Sequence, residues 1–255
     1  MSECRDFYYW RILATGLSFT VFGIGGLVLG GILLPFTFIF SGSRELGQRR
    51  CRRMIQQGFR AFIWLMRSLG VLTWEVVGRS GLTRGGQLVI ANHPTLIDIV
   101  FLISMIPNAT CIVKADLYRN LFTRGPVKWA GYVPNNSTDQ MLSDCAKELA
   151  DGASLVVFPE GSRSVAQIPL QFKRGAAYLW LRARSDVALV TIVSTPPTLA
   201  KHEKWYQIPP VRPHFKLVIK AGEQSKPAVG DGQASIEARV LTRQWQQHFE
   251  KEIAA

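Results

Sequence analysis

Two short segments hold the residues best suited to chemistry. The first is Asn92-His93-Pro94-Thr95-Leu96-Ile97-Asp98. It follows Val89-Ile90-Ala91, an apolar run that reads as the end of a strand. Pro94 suits the first position of a helix, where its missing N–H costs nothing. That placement sets His93 near the helix cap, at the carboxyl edge of a strand, where α/β proteins bind ligands. Asp98 lies five residues on, so its carboxylate can meet the imidazole across the first turn. Such a pair makes a general base: the carboxylate fixes the imidazole tautomer and stabilises the imidazolium that forms. The bland reading is a capping His and a surface Asp.

The second segment is Ser154-Leu155-Val156-Val157-Phe158-Pro159-Glu160-Gly161-Ser162-Arg163-Ser164. Again an apolar strand runs into a polar turn. Glu160, Ser162 and Arg163 reach the same sheet edge as His93 if the two strands are parallel. Arg163 has the fork geometry to bind a phosphate bidentately. Gly161 permits a close backbone approach. The bland reading is an ordinary strand-to-loop turn with a satisfied salt bridge.

Other chemistry lacks its signals. The chain has no G-x-x-x-x-G-K-[ST] phosphate loop, no G-x-S-x-G nucleophile elbow and no H-E-x-x-H. His93, His202, His214 and His248 show no metal-ligand spacing, so no metal is expected. Cys4, Cys51, Cys111 and Cys145 are widely spaced with no C-x-x-C, which fits reduced thiols in a cytosol-facing domain.

The elements that must carry these segments form an alternating pattern. Candidate strands are Gln87–Ala91, Thr110–Val113, Gly131–Val133, Ser154–Phe158, Val187–Val193 and Phe215–Lys220. Candidate helices are Pro94–Ile106, Thr138–Ala150, Lys173–Arg184 and Ser235–Lys251, with Lys226–Gln233 as the loop before the last. Strands alternating with helices predict an α/β fold, with a mainly parallel sheet flanked by helices, over residues 81–255.

Composition sets the context. The chain has 255 residues, 47% hydrophobic and 19% charged, which excludes a disordered chain. Thirty Lys and Arg against 18 Asp and Glu give a net charge of +12, with a mean hydropathy of +0.11. A balance this basic points to an anionic partner. Positive hydropathy favours a membrane surface over nucleic acid, and no nucleic acid is expected.

The charge is uneven. Ile12 to Phe40 contains 29 residues and no charged side chain. As a helix it would reach roughly 44 Å, more than the roughly 30 Å of a bilayer core. Two geometries fit: a single tilted helix, or a helical hairpin turning near Gly23 to Gly31 with Pro35 as a further break. A cleaved signal peptide would have a shorter apolar core and a small-residue cleavage site. Directly after this run, residues 41–84 carry nine Arg and two Glu, a net of +7. By the positive-inside tendency this stretch faces the cytoplasm. Met54, Ile55, Phe59, Phe62, Ile63, Met66 and Leu69 recur within it at helical spacing, making a basic amphipathic helix suited to anionic lipid. The alternative is that its apolar face packs on the following domain. The expected organisation is a membrane anchor over 1–41, a basic juxtamembrane helix over 42–80 and a catalytic domain over 81–255.

The two chemical segments together are specific. Asn92-His93-Pro94-Thr95-Leu96-Ile97-Asp98 matches an H-x-x-x-x-D signature, and Phe158-Pro159-Glu160-Gly161-Ser162-Arg163-Ser164 matches F-P-E-G-[TS]-R-S, in the family's order and separation. The chain resembles the lysophospholipid acyltransferase family, of the bacterial 1-acyl-glycerol-3-phosphate acyltransferase type, over roughly residues 45–222. Lys114-Ala115-Asp116-Leu117, Gly131-Tyr132-Val133 and Gln171-Phe172-Lys173-Arg174-Gly175-Ala176 also fit, as does an N-terminal anchor.

The resemblance implies a mechanism and partners. His93, oriented by Asp98, would take the proton of an acceptor hydroxyl, whose oxygen attacks the thioester of acyl-CoA or of an acyl-carrier protein. Glu160, Gly161, Ser162 and Arg163 would bind the acceptor. Lys114, Lys173 and Arg174 are secondary candidates for anionic contacts. No cofactor is implied beyond the acyl donor. The location would be a bacterial-type inner membrane, with the catalytic domain on the cytoplasmic side.

Two departures stand out. Gly131-Tyr132-Val133-Pro134-Asn135-Asn136 lacks the phosphate-binding Arg that usually ends this block of the family, and Thr191 stands where a Pro is usual. The first puts a glycerol-3-phosphate-type acceptor in question. Competing readings are transfer to a different lipid acceptor, a non-catalytic module binding anionic lipid, and a hydrolase using the same His–Asp pair on a thioester.

Overall fold

The computed structural model describes residues 7–135, 138–165, 168–222 and 234–254. Cys4, Asn136 and the expected loop at 226–233 lie outside them. The N-terminal helices are α1 (Tyr8–Val28), α2 (Leu34–Ile39) and α3 (Arg44–Ser68). Then come β1 (Thr73–Val77), β2 (Leu88–Ala91), α4 (Asp98–Met105), β3 (Ala109–Val113), α5 (Arg124–Ala130) and β4 (Val133–Pro134). The chain continues with α6 (Thr138–Ala150), β5 (Ser154–Val157), α7 (Gly175–Ala183), β6 (Val187–Thr195), β7 (His214–Gly222) and α8 (Ala234–Ala254).

The described strands form one sheet in the order β1-β7-β6-β2-β5-β3-β4. Every neighbouring pair is parallel except β6–β7. Val89, Ala91, Val156, Ala188 and Val190 face one core, shared with α3 and α4. Leu88, Ile90, Leu155, Val157, Val187 and Leu189 face the other, shared with α6, α7 and α8. Both faces are covered, which is why these strands read as unbroken apolar runs rather than alternating ones.

The sequence reading missed β1, which lies inside the stretch 42–80 and pairs with β7. Its alternation is diluted by Glu75, and its order depends on a partner more than 130 residues away. The short helix α5 was missed too. The helix expected from Pro94 starts only at Asp98, with Ile97 at its cap. His93 and Pro94 therefore lie in the loop before the helix, and His93 is not its cap. Helix α7 begins at Gly175, leaving Lys173 outside it and Arg174 at its cap.

The N-terminal apolar stretch is one continuous helical segment, Tyr8–Ile39, long and apolar enough to cross a membrane by length and composition. A π turn at Leu29–Leu33 joins α1 to α2 just before Pro35, whose missing N–H disturbs the ladder one turn back. No hairpin forms within it. The reversal comes at Gly42, at φ +77°, and Ser43 caps α3 by accepting from the Leu46 N–H at 3.2 Å.

Helix α3 returns antiparallel along the apolar helix. Cys51 Sγ sits 3.6 Å from Leu34 O, the Phe22 ring lies 4.8 Å from that of Phe62, and Trp10 Nε1 donates to Leu69 O at 2.9 Å. Ile55, Phe62, Ile63 and Met66 are buried. The apolar face of α3 is thus packed inside the protein, as the packing alternative expects. Its register is fixed by buried Arg52, which donates Nε to Ala130 O at 2.8 Å and pairs with Glu148 at 2.8 Å. That residue ties α3 to α5 and α6.

Candidate active site

The register brings the two sequence segments together. Strands β2 and β5 are adjacent and parallel, with Ile90 opposite Val157. Their carboxyl ends therefore deliver His93 and Glu160 to one sheet edge. Asn92 pins the departing chain to β6: its side-chain amide donates to Ile192 O at 2.8 Å and accepts from the Ile192 N–H at 2.7 Å. It extends the ladder by one more pair after the backbone has turned away.

His93 Nδ1 lies 2.8 Å from Asp98 Oδ2. Asp98 has 0% exposure and sits in the first turn of α4. Its Oδ2 also accepts the Thr95 N–H at 2.7 Å, and its Oδ1 accepts the Thr95 hydroxyl. Burial pushes the Asp98 carboxyl up, while the bonds from His93 and Thr95 hold it down. The His93 ring stacks on Phe158, with centroids 4.1 Å apart and planes 17° from parallel. Among the described residues Nε2 has no partner, and the ring is partly exposed. With Nδ1 taken by the carboxylate, Nε2 is the nitrogen available to accept a proton.

Glu160 joins the segments. Its Oε1 accepts the His93 N–H at 2.9 Å and the Ser164 hydroxyl at 3.0 Å. Ser164 N–H donates in turn to His93 O at 2.7 Å. Burial raises the Glu160 carboxyl above its ordinary value, against the lowering effect of those bonds. Arg163 Nη1 donates to Leu199 O at 3.0 Å and Ala200 O at 2.8 Å. It therefore holds the loop after β6 and keeps its remaining N–H groups for other acceptors. Gly161 has φ +70°, and a Cβ there would stand 3.1 Å from Lys173 Nζ. Ser162 is exposed on the same turn.

The secondary basic candidates separate. Lys173 lies against Gly161, and its N–H donates to Pro159 O at 2.8 Å. Lys114 follows β3 at the same sheet edge and is exposed. Arg174 lines a different cleft, between α7 and α8. Phe158, Thr95 and Asn92 were not singled out in the sequence as site residues, although all three lie inside the two motifs. No group of three or more His, Cys, Asp or Glu among the described residues is placed to hold a metal ion. Beside the motifs a mostly apolar cleft of about 430 Å³ opens, lined by Pro94, Thr95, Ser164, Ile168, Leu170 and Ile192.

Residues 73–195, a little under half of the chain, match the model described as Acyltransferase. A 1-acyl-sn-glycerol-3-phosphate acyltransferase of Helicobacter pylori is 31% identical over 99 residues, 36% of this chain and 42% of the relative. One from Chlamydomonas reinhardtii is 28% identical over 127 residues, 47% of this chain and 38% of the relative. The matches thus span about two fifths of these relatives' length. The solved structure of the 1-acyl-sn-glycerophosphate (LPA) acyltransferase PlsC from Thermotoga maritima shares the fold, with a TM-score of 0.67 and 19% identity over 96% of this chain and 98% of that one.

Proposed function

We propose that the protein transfers a fatty acyl group from a thioester donor, acyl-CoA or acyl-carrier protein, to the hydroxyl of a lysophospholipid such as 1-acyl-glycerol-3-phosphate. The observation that carries this reading is the buried Asp98 holding His93 Nδ1 while Glu160 locks the second motif onto the His93 backbone. His93 Nε2 takes the acceptor's hydroxyl proton. The oxygen attacks the thioester carbonyl, giving a tetrahedral intermediate. Its collapse breaks the C–S bond, and the departing thiolate takes the proton from Nε2. The products are an ester and a free thiol, with no acyl-enzyme between. Arg163, with Lys173 and Lys114 nearby, supplies positive charge for an acceptor phosphate.

The protein works at a membrane, with the catalytic domain on the cytoplasmic side. Leu13, Leu17, Val21, Ile24, Val28, Ile32, Phe36 and Ile39 are all exposed on the apolar helix and recur every three or four residues. The opposite face touches the domain along its whole length, from Arg11 bonded to Pro209 O at 2.9 Å to Phe38 against Trp129 at 5.2 Å. A perpendicular span would drag Lys201, Lys204 and Arg212 of the adjoining loop into hydrocarbon, at a cost of several kcal/mol. The helix therefore lies with its outer stripe in lipid and its inner face on the domain.

A different acceptor is the second reading. It is favoured by Asn135, which follows β4 where the family usually approaches its phosphate-binding Arg, and whose N–H bonds to Val113 O at 2.9 Å. The test is the full chain in lipid micelles, assayed with both donors against a panel of lysophospholipids and non-phosphorylated lipid alcohols. Esterification of a lysophospholipid is expected. Release of free fatty acid without any acceptor product would contradict it.

A further inference from the structure

The apolar cleft beside His93 does not end at the motifs. It runs to α8 at Glu250 and Ile253. Glu250 also lines a second cleft of about 350 Å³ between α7 and α8, together with Phe172, Arg174, Arg239, Arg243 and Gln246. The two hollows are neighbours, with Glu250 in the lining of both. One is mostly apolar and reaches Asn92 and Pro94, the chain neighbours of His93. The other is strongly basic.

Three guanidinium groups, Arg174, Arg239 and Arg243, line this one hollow. Among the described residues none of them makes an ion pair or a side-chain hydrogen bond. Two carboxylates of α8 are already paired elsewhere, Glu252 with Lys220 at 2.7 Å and Glu237 with Arg184 at 3.8 Å. Glu250 is the carboxylate of the basic cleft, and its Oε1 accepts from Gln246 Nε2 at 2.8 Å instead. Three like charges around one hollow repel each other, and the arrangement favours any anion that enters. Guanidinium forks suit phosphate oxygens in particular.

The spacing gives the shape of the ligand. Arg239 and Arg243 stand one turn apart on α8, and Arg239 to Glu250 is eleven residues, about 16 Å of helix. A molecule using both clefts is extended, with phosphates at the α7–α8 end and its reacting group near His93. We infer that the Arg174–Arg239–Arg243 cleft seats the nucleotide phosphates of a coenzyme A thioester, whose arm crosses the apolar cleft to bring the thioester to His93. A concave site of this size suits a small phosphorylated group better than the face of a carrier protein. The inference rests on the acyl-transfer reading and adds a donor site to it.

Calorimetric titration of the full chain in detergent micelles with free coenzyme A is the test. Arg239→Glu with Arg243→Glu should weaken binding by about tenfold or more, in a salt-dependent way. Unchanged binding in that variant overturns the proposal. Both side chains are exposed, so the variant is expected to melt with the wild type. In turnover, the ratio of kcat/KM for acyl-CoA over acyl-N-acetylcysteamine, a thioester without phosphates, should fall about tenfold. Equal losses on both donors, or a loss confined to acyl-carrier protein, contradict the assignment. Coenzyme A binding that depends on the arginines in a chain transferring no acyl group would support the site and refute the reaction.

Discussion

The backbone N–H of His93 donates to Glu160 Oε1 across 2.9 Å, joining two motifs 67 residues apart in the chain. The bond makes Glu160 a positioning residue for the proposed base. It also holds a carboxylate half-buried, and that burial raises the carboxyl above its ordinary value.

That shift has a sign. A carboxyl whose folded-state pKa is raised contributes stability that is fully present below its unfolded value and is lost as pH rises through the folded one. Glu160→Gln removes the half-buried charge but keeps an oxygen for the His93 N–H. The variant should therefore melt above the wild type at neutral pH. The difference should vanish below about pH 4. Thermal melts across that range check it.

Thr95 holds Asp98 through both its N–H and its hydroxyl. Thr95→Val keeps the shape and removes the hydroxyl. Asp98 Oδ1 is then a buried acceptor without its donor, a loss of about 1–3 kcal/mol in stability. The carboxylate also becomes less well aimed at His93, and kcat should fall about tenfold with KM little changed. Initial rates against acceptor concentration separate the two parameters.

Arg52→Ala should destabilise the fold by about 2–4 kcal/mol, because it strips a partly buried Glu148 of its partner and leaves Ala130 O unbonded. Denaturant unfolding in detergent measures it. The effect should reach the whole domain, since Arg52 joins three helices.

Gly30 and Gly31 give a matched contrast on the apolar helix. A Cβ at Gly30 would stand 2.5 Å from Pro126 Cδ and 3.1 Å from Gly125 Cα, whereas at Gly31 nothing lies within 4 Å. Gly30→Leu must push α5 away and should cost several kcal/mol, while Gly31→Leu should fold normally and remain membrane-associated. Proteolysis rates of the two variants distinguish them.

Much of this architecture was legible in the sequence because the signals were local. The runs Val89–Ala91 and Ser154–Val157 are apolar throughout, as strands covered on both faces must be, and each ends in a polar motif. What escaped was set by partners far away. Strand β1 is ordered by pairing Thr73–Val77 with His214–Val218. The helix after His93 starts late because the Asp98 side chain is taken up by Thr95 and His93. The inward turn of the α3 apolar face follows from a long apolar helix lying alongside it, which composition alone could not distinguish from lipid. Phe158 was visible as a residue, but its stacking on His93 depends on the register of β2 against β5.

The central claim is that His93, held by Asp98, deprotonates the acceptor. The most direct measurement is acyl transfer to 1-acyl-glycerol-3-phosphate by His93→Ala and Asp98→Asn in micelles, with folding checked by melting. Transfer should fall by about 10²–10⁴-fold in both, with membrane association retained. Full transfer in folded His93→Ala would contradict the account.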